Sequence, residues 1–111
     1  EQVGRWRVLC QLLEDYDASN MSYAARQIVQ ESGYVVCLAV TEPAAQVCFA
    51  RSQDVDLDVL QLFRDVVAPY GGRGGGKANW AQGGGIPVEI VPAVLEHARE
   101  RLGSHVVGKN L

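Results

Sequence analysis

Apolar and polar residues alternate near the start of the chain, over the segment RWRVLCQLL at positions 5–13. The polar positions are Arg5, Arg7 and Gln11, and the apolar positions between them are Trp6, Val8, Cys10 and Leu12. A period of two is typical of a β-strand with one buried face. We therefore expect a strand over 5–13 whose apolar side chains, including the indole of Trp6, point into the core.

The hydrophobic spacing changes after the polar turn EDYDASN at positions 14–20. Apolar residues then recur at intervals of three and four, as on one face of an α-helix. They are Met21, Ala24, Ala25, Ile28 and Val29. Ser19 or Asn20 is expected to cap the start of this helix, because short polar side chains accept hydrogen bonds from its free N–H groups. Gly33 is expected to end it, as glycine often does.

Two further strands are predicted between positions 34 and 51. The segment YVVCLAVT (34–41) is apolar on both faces, which is typical of a strand inside a sheet that is covered on both sides. A short EPAA turn containing Pro43 joins it to QVCFAR (46–51). The whole segment 34–51 therefore predicts a β-hairpin.

Two more helices are predicted in the second half of the chain. Acidic residues precede the first, where they favour the positive end of the helix dipole; they are Asp54, Asp56 and Asp58. Its apolar stripe consists of Val59, Leu60, Phe63, Val66 and Val67, and Pro69 and Gly71 end it. The last helix is expected to begin at Pro87 or Pro92, to end at Gly103 and to be followed by a frayed tail up to Leu111. The residues that we expect to face the core from it are Leu95, Ala98 and Leu102.

These elements predict an α/β fold: a small mixed β-sheet with helices packed on it. The order along the chain is β-α-β-β-α-(Gly-rich loop)-α, with one short strand allowed at 81–83. Residues 1–111 are expected to form a single domain with an ordered core of about 5–103. Glu1 in place of an initiator Met indicates a segment of a longer protein.

Composition and charge narrow the classes of function. Of the residues, 48% are hydrophobic, which is typical of a globular domain, and no apolar run is long enough for a membrane helix. The formal net charge of −3 argues against a general nucleic-acid binder, although a local basic patch remains compatible with it. The N-terminus does not resemble a signal peptide, so we expect a cytoplasmic protein. Cys10, Cys37 and Cys48 lack metal-binding spacing and predict free buried thiols in a reducing compartment.

The usual catalytic groups are not evident in the sequence. The two histidines, His97 and His105, lie near the C-terminus at a spacing that does not indicate a metal pair. No Ser/His/Asp set is visible, and we expect neither catalytic residues, a metal nor a cofactor in this segment.

The most unusual segment is GGRGGGKANWAQGGG at positions 71–85, which holds eight of the twelve glycines. It is not a Walker loop, because Ala78 follows Lys77 where a hydroxyl is required. A phosphate-binding surface made of bare backbone amides and cations is one interpretation. The alternative is a structural loop whose glycines, Gly75 in the central run among them, supply positive φ angles or close backbone approach.

The motif GGxGGGKxxxAQxGG, from Gly71 to Gly85, resembles the signature of the C-terminal domain of alanyl-tRNA synthetases, also called the DHH-associated domain. Ala78 and Trp80 depart from the residues usual in that family, which are proline at the first position and methionine or phenylalanine at the second. The resemblance implies a non-catalytic α/β domain of an alanine–tRNA ligase that contacts the elbow of tRNA. The residues that it assigns to RNA binding are Gly72, Arg73, Gly74, Gly75, Gly76, Lys77 and Gln82.

The same resemblance implies tRNA(Ala) and the other domains of the parent synthetase as partners, with a homodimer allowed and no membrane contact. Trp80 is expected in the core, and base stacking is its alternative role. Three other kinds of parent remain open: a DHH-type phosphoesterase in which the domain clamps a nucleotide or single strand, a freestanding alanyl-tRNA editing protein, and an interaction domain without an RNA role.

Overall fold

One mixed β-sheet organises the molecule. The computed structural model describes the backbone of residues 2–3 and 6–110 and the side chains of residues 6–103. The strands are β1 (Gln2–Val3), β2 (Trp6–Leu12), β3 (Tyr34–Val40), β4 (Gln46–Arg51), β5 (Arg73–Lys77) and β6 (Trp80–Gly84). Their order in the sheet is β1-β2-β3-β4-β6-β5, with β2 and β3 parallel and the other neighbouring pairs antiparallel.

Three α-helices cover this sheet: α1 (Ala18–Ile28), α2 (Val59–Val67) and α3 (Val91–Asn110). The first connects the parallel strands β2 and β3 and packs on β3 and β4. The other two lie on the opposite face, where α2 contacts β4, β5 and β6 and α3 contacts β2 and β3. The α/β fold class, the mixed sheet and the order of the helices predicted from the sequence are therefore confirmed.

The apolar residues of β3 supply both halves of the core. Val35, Cys37 and Ala39 belong to the cluster under α2 and α3, whereas Val36, Leu38 and Val40 belong to the cluster under α1. This division follows from the period-two alternation of side chains along a strand. It explains why the segment is apolar at every position.

The helices contribute the predicted apolar stripes. Met21 and Ala25 of α1 are fully buried, and Phe63 of α2 packs edge-on against Phe49 of β4 with ring centroids 5.7 Å apart. Leu95, Ala98 and Leu102 of α3 are buried as predicted. The alternation of β2 is also confirmed, with Val8 buried and Trp6, Cys10 and Leu12 packed against the same cluster.

The boundaries of α1 differ from those predicted. Asp17, not Ser19 or Asn20, is the N-cap, and its carboxylate accepts a hydrogen bond of 2.8 Å from the N–H of Asn20. The side-chain Oδ1 of Asn20 accepts a hydrogen bond from the N–H of Asp17, so the two residues form a reciprocal capping box. The helix ends at Ile28, and Gly33, with φ of 81°, instead forms the turn into β3.

Helix α3 also departs from the prediction. It starts at Val91, so Pro92 lies in its first turn, while Pro87 precedes a short 3-10 turn at Val88–Ile90. Gly103 does not end it, and the helix continues to Asn110 where a frayed tail was predicted. One glycine costs a helix only about 1 kcal/mol, which its neighbours can offset. In the described part of the chain, no helix is both long and apolar enough to cross a membrane.

The largest difference concerns the glycine-rich segment, which is a β-hairpin rather than a loop. The strand allowed at 81–83 is part of β6, and its partner β5 was not predicted. Glycine-rich segments carry no alternating hydrophobic pattern, so the period-two signal of a strand is absent there. The backbone pairing with β4 and β6 nevertheless adds both segments to the sheet.

Candidate nucleic-acid interface

The register of the hairpin determines which of its residues share a face. Arg73, Gly75 and Lys77 of β5 stand opposite Gly84, Gln82 and Trp80 of β6, respectively. Directly opposed residues of antiparallel strands point to the same side of the sheet. Trp80 packs against the α1-side cluster, so this side is the one that carries α1. We call the surface formed by Arg73, Gly75, Lys77, Trp80 and Gln82 the hairpin face.

The hairpin face is open to solvent beyond the edge of α1. Every residue of β5 is exposed, and β5 is the edge strand of the sheet. Arg73 and Lys77 are four residues apart, which corresponds to roughly 13 Å along a strand. Gly75 lies between them and has no atom within 4 Å of the position a Cβ would take. Two cations therefore flank a shallow trough that no side chain of β5 fills.

Three other glycines of the hairpin are required by its backbone packing. A Cβ at Gly74 would lie 2.3 Å from the carbonyl oxygen of Gln82. One at Gly76 would lie 1.9 Å from the oxygen of Trp80, and one at Gly83 would lie 2.0 Å from the oxygen of Arg73. Real Cβ atoms do not approach oxygen this closely, so only glycine allows these two strands to pair as they do.

The prediction that Gly75 needs a positive φ or a close backbone approach is wrong, because its surroundings are empty and its φ lies outside the left-handed region. Gly72 has a different environment. A Cβ there would lie 2.1 Å from the Cγ1 atom of Val67 and 3.0 Å from the Cγ2 atom of Ile86. The structure thus brings Arg73, Gly75, Lys77 and Gln82 together, while Gly72, Gly74 and Gly76 pack against neighbouring protein atoms.

Trp80 is half-buried, which agrees with its expected contribution to the core. Its Nε1–H donates a hydrogen bond of 3.3 Å to the Oε1 atom of Gln82. The guanidinium of Arg26, on α1, lies over the indole with its Cζ atom 5.1 Å from the ring centroid, within the range of cation–π interactions. Arg26 was not among the predicted site residues, because the spacing along α1 does not reveal a contact with a distant strand.

The tip of the hairpin is anchored on both sides. The N–H of Arg51 donates to the carbonyl of Asn79 at 3.2 Å, and the N–H of Val59 donates to the carbonyl of Ala78 at 2.8 Å. The side chain of Arg51 donates to three backbone carbonyls, those of Ser52, Gln53 and Leu57. The side chain of Arg51 therefore stabilises the loop after β4. Main-chain hydrogen bonds hold the hairpin tip on either side.

The buried thiols of Cys37 and Cys48 are unsuited to catalysis near neutral pH. Cys10, Cys37 and Cys48 are free, as predicted, although Cys10 is only half-buried. A hydrogen bond with the Cys10 thiol, together with burial, raises the pKa of Cys37, and burial raises the pKa of Cys48 to about 12. Because the thiolate is the reactive form, these groups are poor nucleophiles. Across the described residues, no cluster of three or more His, Cys, Asp or Glu side chains could hold a metal.

Comparison with known proteins identifies the family. The DHHA1 domain model matches residues 6–104, and the chain belongs to this family. An alanine–tRNA ligase of Thermosynechococcus vestitus is 34% identical over 106 residues, which cover 90% of this chain and 12% of that protein. The alanyl-tRNA editing protein AlaX-L of Pyrococcus horikoshii is 28% identical over 106 residues, covering 95% of this chain and 25% of that protein.

The fold has a close counterpart among solved structures. The C-Ala domain of the alanyl-tRNA synthetase from Aquifex aeolicus superposes with a TM-score of 0.82 and 23% sequence identity, covering 93% of this chain and 96% of that one. The resemblance drawn from the glycine-rich motif is therefore confirmed at the level of family and fold. The chain spans only 12% of the length of the alanine–tRNA ligase from Thermosynechococcus vestitus.

Proposed function

We propose that this chain is a non-catalytic tRNA-binding domain of an alanine–tRNA ligase and that its hairpin face contacts the elbow of tRNA. The observation that carries the proposal is the pair of exposed cations, Arg73 and Lys77, on either side of an open glycine. Arg73 is suited to bidentate phosphate contacts, and Lys77 supplies a mobile point charge. Gln82 offers an amide to a ribose. Gly72, Gly74 and Gly76 support this surface through their packing.

The expected interaction is weak and reads shape rather than sequence. The net charge of −3 leaves few cations for phosphate, so affinity and its dependence on salt should be modest. Structured RNA is recognised largely through backbone and 2′-OH contacts, which suits an open strand edge whose cations flank a glycine. Within a synthetase, tethering would hold the tRNA while its acceptor end visits the aminoacylation and editing sites. The proposed place of action is the cytoplasm, with tRNA(Ala) and the other synthetase domains as partners.

Filter binding with three RNAs tests the proposal: tRNA(Ala), other full-length tRNAs, and an acceptor-stem minihelix that lacks the elbow. We expect the full-length tRNAs to bind with similar affinity, because the elbow is common to them, and the minihelix to bind at least tenfold more weakly. Equal binding of the minihelix would contradict contact with the elbow. No binding of any RNA under low salt would contradict an RNA-binding role.

A freestanding alanyl-tRNA editing protein is a second candidate parent, since one such protein is 28% identical over most of this chain. The proposed role of the domain is the same in both parents. The activity of the full-length protein that contains the chain separates them. A ligase charges tRNA(Ala) with alanine, whereas an editing protein only hydrolyses mischarged tRNA.

A further inference from the structure

An open groove lies next to the hairpin face, between the C-terminal half of α1 and the hairpin tip. Its volume is about 740 Å³, and its lining includes Arg26, Trp80 and Asn79. This size falls within the range of roughly 300–1,000 Å³ that is usual for sites that hold small molecules or parts of larger ligands. Trp80 belongs to both surfaces, because it lines the groove and stands opposite Lys77 across the hairpin.

The cation–π pair of Arg26 and Trp80 lines the groove. Arg26 is exposed although its guanidinium lies over the indole, so the side of that group away from the ring faces solvent. The hydrogen bond from the Nε1–H of Trp80 to Gln82 fixes the orientation of the ring. Guanidinium planes and aromatic faces are the groups on which unstacked RNA bases are commonly held.

The charged residues of the groove balance, so the groove is not built to attract a phosphate. Glu31 and Asp54 also line the groove, and Asp54 accepts a hydrogen bond of 3.0 Å from the N–H of Gly33. Arg51 keeps its positive charge but has few N–H groups left for a ligand, because its guanidinium donates to backbone carbonyls. With Arg26 and Arg51 as its cations, the groove carries no formal net charge, and the carboxylates of Glu31 and Asp54 can accept hydrogen bonds from the exocyclic amines of bases. Asn79, exposed at the hairpin turn, can donate to and accept from a base edge.

We propose that this groove receives one unstacked nucleobase of the RNA bound on the hairpin face, with the base stacked on the Arg26–Trp80 pair and its edge bonded by Asn79. This inference rests on the proposed tRNA-binding function. It adds a nucleobase subsite to a surface that otherwise contacts only phosphate and ribose. The arrangement fits a path in which the RNA backbone lies over Lys77 and Arg73 and one base turns toward α1.

Binding of a tRNA(Ala) transcript to three variants tests the subsite. Arg26→Ala should weaken binding about tenfold, within the range observed when one stacked base loses its platform. Arg26→Lys keeps the charge but not the planar group, so most of the loss in affinity should remain in this variant. Asn79→Ala should weaken binding about threefold. Thermal melting of each variant should stay close to that of the wild type, because both residues are exposed.

Chemical probing of the same complexes with dimethyl sulfate gives an independent measurement. We expect a base that is protected in the wild-type complex and reactive in the Arg26→Ala complex. Full affinity of Arg26→Lys, or no difference in base reactivity, would overturn the subsite and leave Arg26 as a phosphate contact. If Arg73→Ala/Lys77→Ala weakens binding while the Arg26 and Asn79 variants do not, only the subsite fails. If none of these variants changes binding, the proposed function fails as well.

Discussion

Gly74 of β5 and Gly83 of β6 are paired across the hairpin, and neither has room for a side chain. A Cβ at Gly83 would lie 2.7 Å from the Cα of Gly74, and one at Gly74 would lie 2.6 Å from the Cα of Gly83. Gly75, one position away, stands in open space. The glycines of this segment therefore have two separate roles, and substitution can distinguish them.

The first prediction concerns stability. Gly74→Ala should lower the free energy of unfolding by about 1–3 kcal/mol, because the strands must separate to admit the new Cβ. Gly75→Ala should change it by less than about 0.5 kcal/mol, because no atom opposes the methyl group. Urea unfolding of both variants measures the difference. Equal losses of stability in the two would show that the close pairing of β5 and β6 is not what requires glycine.

The second prediction uses Gly75 to probe the trough between the cations. Gly75→Val should keep a melting temperature near that of the wild type but weaken binding to tRNA(Ala) by about tenfold, because the isopropyl group would hold the RNA backbone away from the strand. Gly75→Ala is the matched control with a smaller side chain, and its effect should be intermediate. Unchanged affinity of the valine variant would mean that RNA does not approach this part of β5.

The third prediction concerns the start of α2. The carboxylate of Asp58 accepts hydrogen bonds from the N–H groups of Leu60 at 3.1 Å and Gln61 at 3.2 Å. Asp58→Ala should therefore cost about 1 kcal/mol, whereas Asp58→Asn should be nearly neutral because asparagine caps equally well. For a domain of this size, a loss of 1 kcal/mol lowers the melting temperature by about 4–8 °C. A large loss in the asparagine variant would indicate a charge effect instead of capping.

The fourth prediction concerns alkaline pH. Burial raises the pKa of Cys48 from 9.0 to about 12, so the unfolded chain releases this proton at a lower pH than the folded one. The folded state is then the one with more bound protons, and stability is complete below about pH 9 and falls between about pH 9 and 12. One such thiol contributes at most about 1.4 kcal/mol per pH unit in this window.

Unfolding free energies of the wild type and Cys48→Ala at about pH 7 and pH 10.5 measure this effect. The wild type should lose roughly 2 kcal/mol more than the variant between the two values, since the variant lacks the ionising thiol. Cys37, whose pKa is also raised, remains in both proteins and acts in the same direction. The same loss in both proteins would rule out Cys48 as a source of alkaline destabilisation.

Periodicity was sufficient to predict most of the fold. The alternation in β2, the two-faced apolar run of β3 and the stripes of the helices each follow from burial, which depends on local spacing. The sequence also indicated the candidate functional segment, because a cluster of glycines with two cations is rare. Its strands could not be predicted, because glycine residues leave no hydrophobic alternation and β5 is defined only by its pairing with β6.

Contacts between residues far apart in the sequence could not be predicted either. Arg26 lies beside Trp80 only because α1 crosses over β3 and β4, which the spacing along α1 cannot reveal. The N-cap of α1 could not be chosen from the sequence, since Asp17, Ser19 and Asn20 are all good capping residues. The reciprocal hydrogen bonds between Asp17 and Asn20 decided between them.

The fifth prediction tests the central proposal, that the hairpin face binds tRNA. Binding of tRNA(Ala) is measured over a range of salt for the wild type, for Arg73→Ala/Lys77→Ala, and for the control Arg64→Ala/Arg101→Ala. The control removes the same charge from α2 and α3 on the opposite side of the sheet, where Arg101 forms an exposed ion pair with Asp65 at 2.9 Å. It should bind like the wild type.

The hairpin variant should bind at least tenfold more weakly, with a plot of log K against log salt that is shallower by about one unit for each lost phosphate contact. Unchanged affinity and slope in a folded hairpin variant, or an equal loss in the control, would contradict the proposal.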